Sequence, residues 1–383
     1  MPLDTGSILK ILLALVAALI ISFIATPLVK LFAQRVGAMD VPGEERRVHD
    51  HPIPRMGGLA IFLAFLLSVV VFADINRQVQ GILLGAVVVV IIGVIDDIVP
   101  LPAMLKFVVQ IIAALIAVWH GVVVEIISNP NVFSAVEYLS LGVFAIPVTV
   151  IWIVAITNSV NLIDGLDGLA CGVSVIASIT MFVIAFVLVD VNAAIILAAL
   201  TGACLGFIPY NFNPAKIFMG DTGALLLGFV LATVSIISVF KFYAIISFAV
   251  PFLVLGLPLF DTSFAFFRRL LHGRNPMAPD RGHFHHRLID MGLSQKQAVA
   301  ILYSISFVLG LSAVIITTDG EIKALILTFA FCIAVAVAVT VMKGFSREKE
   351  EKPAEEEAER ETERPGEAAA DSGDKTPPQN NGE

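Results

Sequence analysis

Apolar and polar residues alternate along this chain on the scale of whole segments. Runs of predominantly apolar residues recur near 7–27, 57–73, 81–96, 104–120, 141–160, 168–189, 191–210, 222–240, 243–261, 297–317 and 322–342. At 1.5 Å of rise per residue, runs of roughly 17 to 23 residues carry a helix through the hydrocarbon layer of a bilayer. The pattern predicts an all-α polytopic membrane protein with about eleven transmembrane helices, joined by short polar loops, over residues 1–343. The segment 344–383 is Glu-rich, contains Pro and has almost no large apolar residue, which predicts a disordered acidic tail.

Composition agrees with that division. With 58% hydrophobic and 15% charged residues the chain is excluded from the ordinary soluble class. Its net charge of −8 is a property of the tail, where 13 acidic and 6 basic residues give −7 and leave the membrane part near −1. No nucleic-acid partner is expected. Cys171, Cys204 and Cys332 stand singly inside apolar runs, without metal-ligand spacing, and read as packing residues. The first apolar run has no basic leader and no small-residue cleavage site, as expected of a retained helix.

An odd number of spans places the termini on opposite sides. Loops after the odd-numbered spans hold Arg46, Arg47, Arg55, Lys106, Lys216, Arg268, Arg269, Arg281 and Arg287, whereas the other side has only Lys10, Arg77, Lys241 and Lys323. The positive-inside rule makes the first set cytoplasmic, with the N-terminus outside and the tail inside. Nearly every residue with chemistry to offer then falls at the cytoplasmic face.

Five segments carry that chemistry. The first is Pro54-Arg55-Met56-Gly57-Gly58, where Gly57 and Gly58 allow backbone to approach a neighbour or a ligand. Next come the adjacent carboxylates Asp96 and Asp97, with Lys106 at the mouth of the following span. Third, in Asn158-Ser159-Val160-Asn161-Leu162-Ile163-Asp164-Gly165-Leu166-Asp167-Gly168, the spacing of three lets Asn158 and Asn161, and Asp164 and Asp167, share a side of a helical turn. The fourth is Phe218-Met219-Gly220-Asp221-Thr222-Gly223, with Asp221 at a helix start, and the fifth is His283-Phe284-His285-His286-Arg287. Taken alone, each also fits a structural role: a lipid-facing loop, a helix cap, an Asx turn. The pair Asp261 and Arg268-Arg269 reads as a structural ion pair.

As a set on one membrane face they suit a single reaction class. Carboxylate and amide oxygens are hard ligands fitted to Mg2+ or Mn2+, and Arg and His hold phosphates. Phosphoryl transfer between a soluble nucleotide and a membrane lipid uses such parts, mostly for positioning and charge stabilisation. The competing classes are a secondary transporter, which should keep its carboxylates near the midplane, and an enzyme joining a cytidine-activated alcohol to lipid. The latter's compact motif places an Arg after Asp-Gly-x-x-Ala, which Ala170 lacks.

These motifs, in this order over about residues 20–310, resemble those of the polyprenyl-phosphate N-acetylhexosamine-1-phosphate transferases, glycosyltransferase family 4. Among them the chain looks most like the bacterial inner-membrane enzymes that begin O-antigen, enterobacterial common antigen or wall teichoic acid synthesis. The related phospho-N-acetylmuramoyl-pentapeptide transferases show three consecutive histidines and ten spans, whereas here Phe284 separates His283 from His285. The resemblance implies transfer of N-acetylglucosamine 1-phosphate from a UDP-N-acetylhexosamine to undecaprenyl phosphate, with release of UMP. It also implies that Asn161 and Asp221 hold Mg2+ with Asp97 close by, and that Asp167 lies against the uracil. Lys106, His283, His285, His286 and Arg287 would grip the diphosphate and sugar. Asn158, Asp164, Gly57 and Gly58 complete the substrate site, Asp96 and Asp97 organise the acceptor phosphate, and a homodimer is compatible with all of this.

Overall fold

The computed structural model describes residues 4–41, 52–128, 138–239, 249–271 and 283–317, with the isolated positions 323, 327 and 329. Apart from those three positions the eleventh expected span lies outside the described residues, as do the tail and Arg281. The helices are α1 (Thr5–Val36), α2 (Gly58–Phe72), α3 (Arg77–Ile98), α4 (Ala103–Trp119), α5 (Ala145–Ile163) and α6 (Leu169–Val187). They continue as α7 (Val191–Asn211), α8 (Gly220–Val234), α9 (Ala249–Val254), α10 (Gly256–Leu271), α11 (Phe284–Asp290) and α12 (Gln295–Thr317). Among the described residues, seven helical stretches are long and apolar enough to cross a bilayer, and α2 and α4 are shorter apolar helices. The protein is a polytopic helical membrane protein.

The first eight expected spans and the tenth coincide with α1 to α8 and α12. The ninth differs. Its described part is split into α9 and α10, and α10 runs on to Leu271 with Phe260, Phe264, Phe267, Leu270 and Leu271 exposed.

Packing follows the distribution of small residues. Helix α1 buries one stripe, Ile11, Ala14, Ala18, Ser22, Thr26, Val29 and Ala33, at helical spacing, while Leu12, Ile24 and Leu28 on its other faces are exposed. In lipid such outward leucines carry no penalty, and close contact between small residues drives helix association. The stripe lies against α2 and α7, and Ser68 Oγ donates to the Ala14 carbonyl at 2.7 Å.

At the centre stands α8, packed by α2, α3, α5 and α6. Every residue from Thr222 to Val234 is buried. A helix apolar all round belongs inside a bundle, so residues at its N-terminus are fixed by four neighbours at once.

Two short antiparallel pairings complete the described structure, Met39–Asp40 with Ile53–Pro54 and Ile126–Ser128 with Tyr138–Ser140.

Candidate active site

The polar end of the bundle is built where α3 and α5 finish and α4 and α8 begin. The chain just before α8 pairs with the chain just before α2: Phe218 N–H donates to the Pro54 carbonyl, Gly57 N–H to that of Phe218, and Gly58 N–H to that of Met219. This ladder makes Arg55 a neighbour of Asp221, although 166 positions separate them.

Asp97 is buried at the α3 end and its oxygens are fully engaged. Oδ1 accepts the Asp221 N–H at 3.0 Å, and Oδ2 accepts the Thr222 N–H at 3.2 Å and its hydroxyl at 2.6 Å. Arg55 Nε donates to Oδ1 at 3.0 Å. The first N–H groups of a helix lack intrahelical partners and attract negative charge, so Asp97 acts as the cap of α8 from another helix. Its neighbour Asp96 accepts the Leu101 N–H at 2.8 Å and meets Lys106 Nζ at 3.2 Å.

Asp221 receives two cations. Lys106 Nζ lies 2.7 Å from Oδ2 and Arg55 Nη2 lies 3.5 Å from Oδ1. Burial alone would lower the Arg55 guanidinium, but the charges of Asp97 and Asp221 outweigh it and hold the group above its ordinary value.

Beyond Asp221 opens a cavity of 280 Å³, lined by Asp40, Arg55, Asn161, Asp164, Gly165, Leu166, Asp167, Asn211, Phe218, Gly220 and Asp221. Two of its carboxylates belong to the link between α5 and α6. Burial, reinforced by the charges of Asp221 and Asp97, pushes the half-buried Asp164 carboxyl up to about 7. Asp167 Oδ2 accepts from Asn213 Nδ2 and from the Ala215 N–H, both at 3.0 Å, and Asn213 also meets Gln295 of α12. Tyr303 on α12 donates to the Gly168 carbonyl at 2.6 Å, bracing the same link.

The histidine cluster reaches this link from the other side. A Cβ placed on Gly165 would fall 2.3 Å from His285 Nε2, so the bare backbone there is what lets α11 close on the cavity wall. His283 and His285 stack at 5.8 Å, and the His285 and His286 rings are 4.2 Å apart. Burial first, then the His286 charge, lowers His285 to about 3, leaving it neutral at physiological pH. The Arg287 guanidinium lies 5.1 Å over the Phe264 ring.

The five sequence segments therefore converge at one end of the bundle, but their residues divide by role. Asn161, Asp164, Asp167 and Asp221 face the cavity; Asp96, Asp97 and Lys106 stand beside it, tied to Asp221 or its helix. Asn158 is set back, exchanging hydrogen bonds with Gln110 of α4 and donating to the Val154 carbonyl at 2.8 Å. Gly57 and Gly58, expected at a ligand, are buried between helices instead. Both amides are used in the ladder, and a Cβ on Gly58 would sit 2.0 Å from the Gly223 nitrogen. The close approach that these glycines permit is that of α2 to α8.

Sequence reasoning missed Arg55, Asp40 and Gln110. Arg55 belongs to the Pro54–Gly58 motif, and Gln110 lies one helical turn after Lys106 on the same side of α4, which is a readable signal. Proximity along α10 predicts an ion pair of Asp261 with Arg268 and Arg269. Asp261 engages His283 Nδ1 at 2.9 Å and the Phe284 N–H at 2.8 Å, because the N-terminus of α11 lies against it.

The candidate ligand atoms around the cavity are oxygens, from four carboxylates and the amides of Asn161 and Asn211, and burial presses the Asp164 carboxyl toward its neutral form. A hard divalent cation fits that set, with Asp221 and Asn161 both lining the one cavity.

Comparison with known proteins adds an independent line. Residues 79–239 match the family model described as glycosyl transferase family 4. A probable undecaprenyl-phosphate N-acetylglucosaminyl 1-phosphate transferase of Bacillus subtilis is 39% identical over 326 residues, covering 85% of this chain and 90% of that protein. A decaprenyl-phosphate N-acetylglucosaminephosphotransferase of Mycolicibacterium smegmatis is 37% identical over 332 residues, 78% of this chain and 81% of that one. A phospho-N-acetylmuramoyl-pentapeptide-transferase of Thermoanaerobacter is 36% identical over a shorter 244 residues, 60% of this chain.

Proposed function

The chain belongs to glycosyl transferase family 4, and from that premise we propose that it transfers N-acetylglucosamine 1-phosphate from UDP-N-acetylglucosamine to undecaprenyl phosphate, releasing UMP. The observation that carries this reading is Asp221, held by Lys106 and Arg55 at the edge of a carboxylate- and amide-lined cavity. The site thus combines what a diphosphate needs: cations to neutralise its oxygens, and hard ligands for a metal. The longer match to N-acetylglucosaminyl transferases than to the muramoyl-pentapeptide enzyme favours the smaller sugar.

Asp221 and Asn161 would hold Mg2+, or Mn2+, which when bound offsets the charge of the diphosphate and of the departing UMP. Asp97 keeps the start of α8, and so Asp221, in place. Lys106 and Arg55 are within reach of phosphate oxygens once Asp221 has another partner. The acceptor needs little activation, since a phosphate monoester has a second pKa near ~6 and is largely an oxyanion at neutral pH. Asp96 therefore serves to hold Lys106, and the acceptor oxygen attacks the sugar-linked phosphorus directly. Asp167, Asn213 and the Gly165–Gly168 link form the wall for the nucleoside; His285, His286 and Arg287 bound the sugar side. The active-site end faces the cytoplasm, where UDP-sugars are made, with the N-terminus outside.

Purified protein in detergent with undecaprenyl phosphate, Mg2+ and labelled UDP-N-acetylglucosamine should release UMP and yield a labelled lipid pyrophosphate. Competing UDP-N-acetylgalactosamine should suppress this poorly. UMP release without lipid product, or no release with any UDP-sugar, overturns the reading. Exchange of labelled UMP into the sugar nucleotide in lipid-free enzyme would replace direct attack by a covalent aspartyl-phosphate path.

A further inference from the structure

The contact between α10 and α11 has a part in this chemistry that the cavity alone does not reveal. Asp261 and His283 are 3% and 5% exposed, so each is a polar group withdrawn from solvent whose partner must be specific. Asp261 Oδ2 meets His283 Nδ1 at 2.9 Å, and Oδ1 accepts the Phe284 N–H at 2.8 Å. His283 is the N-cap residue of α11 and makes no side-chain cap bond of its own. One carboxylate thus fixes the ring and supplies the missing cap. A turn later on α10, Phe264 stacks on Phe284 at 6.1 Å and lies beneath the Arg287 guanidinium. Residues 261 and 264 of α10 therefore grip 283, 284 and 287 of α11.

We propose that Asp261 is a positioning residue: it holds His283 in the tautomer with the proton on Nδ1, leaving Nε2 as the nitrogen that meets substrate, and it sets the orientation of the whole His283–Arg287 row. A carboxylate oxygen can only accept, so the ring nitrogen facing it must carry hydrogen. The same logic orients histidines in metal sites and in Ser-His-Asp triads, where the carboxylate acts through the ring and never touches substrate. The catalytic part of the inference rests on the proposed transferase reading; the tautomer does not.

The test has two arms on the full-length protein in nanodiscs. Histidine-selective 15N spectra, with His283 assigned by loss of its signal in His283→Asn, should show Nδ1 protonated and Nε2 bare; the opposite tautomer overturns the proposal. Kinetically, Asp261→Asn should lower kcat about 10- to 100-fold with KM for UDP-N-acetylglucosamine little changed. Asp261→Glu should recover part of the loss. In a His283→Asn background the Asp261→Asn change should cost little more. Undiminished kcat in Asp261→Asn, or a full penalty in the double variant, overturns it. If Asp261→Asn does not fold, the spectrum of the wild-type protein still decides. An inactive wild-type protein would sink the transferase reading while leaving the spectral arm intact.

Discussion

Lys106 Nζ sits 2.7 Å from Asp221 Oδ2 and 3.2 Å from Asp96 Oδ2, so one ammonium joins the start of α8 to the end of α3. The same carboxylate that would hold a metal is thus paired with the cation that would meet phosphate. On the proposed reading, a divalent ion bound at Asp221 would release Lys106 toward substrate, two sides of one exchange.

Replacing Lys106 by Met separates those roles. Asp221 loses its nearest competitor, so Mg2+ should bind more tightly, read as a larger thermal shift per added ion. Turnover should fall about 100-fold or more, the usual loss when a charge-stabilising donor is removed. Weaker Mg2+ binding would contradict the exchange.

Asp221→Asn tests the ligand itself. The neutral amide keeps the volume and leaves the Asp97 cap intact, since Asp97 bonds the backbone of 221 and 222. We expect a folded protein whose Mg2+ requirement shifts upward by roughly tenfold or more and whose activity falls by at least ~100-fold. An unchanged metal titration places the ion elsewhere.

Gly58→Ala should act through packing alone. The new methyl would lie 2.0 Å from the Gly223 nitrogen and 2.2 Å from its Cα, both backbone, so no side chain can move aside. Overpacking of this kind costs about 1–3 kcal/mol, and because α2 must back away from α8, the Phe218 to Gly58 ladder should loosen too. Both melting temperature and activity should drop together.

The neutral, buried His285 makes stability depend on pH. In the unfolded chain an imidazole takes a proton near pH ~6.5, whereas the folded site resists it down to about 3. Between those values the unfolded state binds more protons, so stability is present above pH ~6.5 and declines as pH falls toward 3. By pH 4 the loss from this ring is on the order of 3 kcal/mol. Melting curves of His285→Gln should therefore converge on those of the wild-type protein as pH drops from 7 to 4; parallel curves would remove His285 as the source.

Much of the architecture was legible because lipid imposes a simple rule on sequence. Nine of the expected spans match helices because each is a long apolar run bounded by polar residues, and seven of those helical stretches among the described residues are long enough to cross a bilayer. The ninth span resisted for the opposite reason: α10 combines exposed phenylalanines with Asp261, Arg268 and Arg269, and such a mixture has no single reading. At the site, the polar interruptions could be grouped by membrane face, and the structure brings them together. Pairings across long separations could not be read. That Asp97 would turn to Thr222, or Asn213 to Asp167, depends on how helix ends meet. Gly57 and Gly58 misled because a glycine permits close approach without saying to what.

Helix α8 has no face turned to lipid, and that shapes what an inhibitor can exploit. A carboxylate mounted on the innermost post of the bundle cannot swing to follow a compound; the compound must arrive already shaped to it. A rigid cation mimic spanning Asp221 and Asn161 would find its target standing still, and escape by substitution along α8 would be narrow, since each altered side chain there must be absorbed by neighbours on every side.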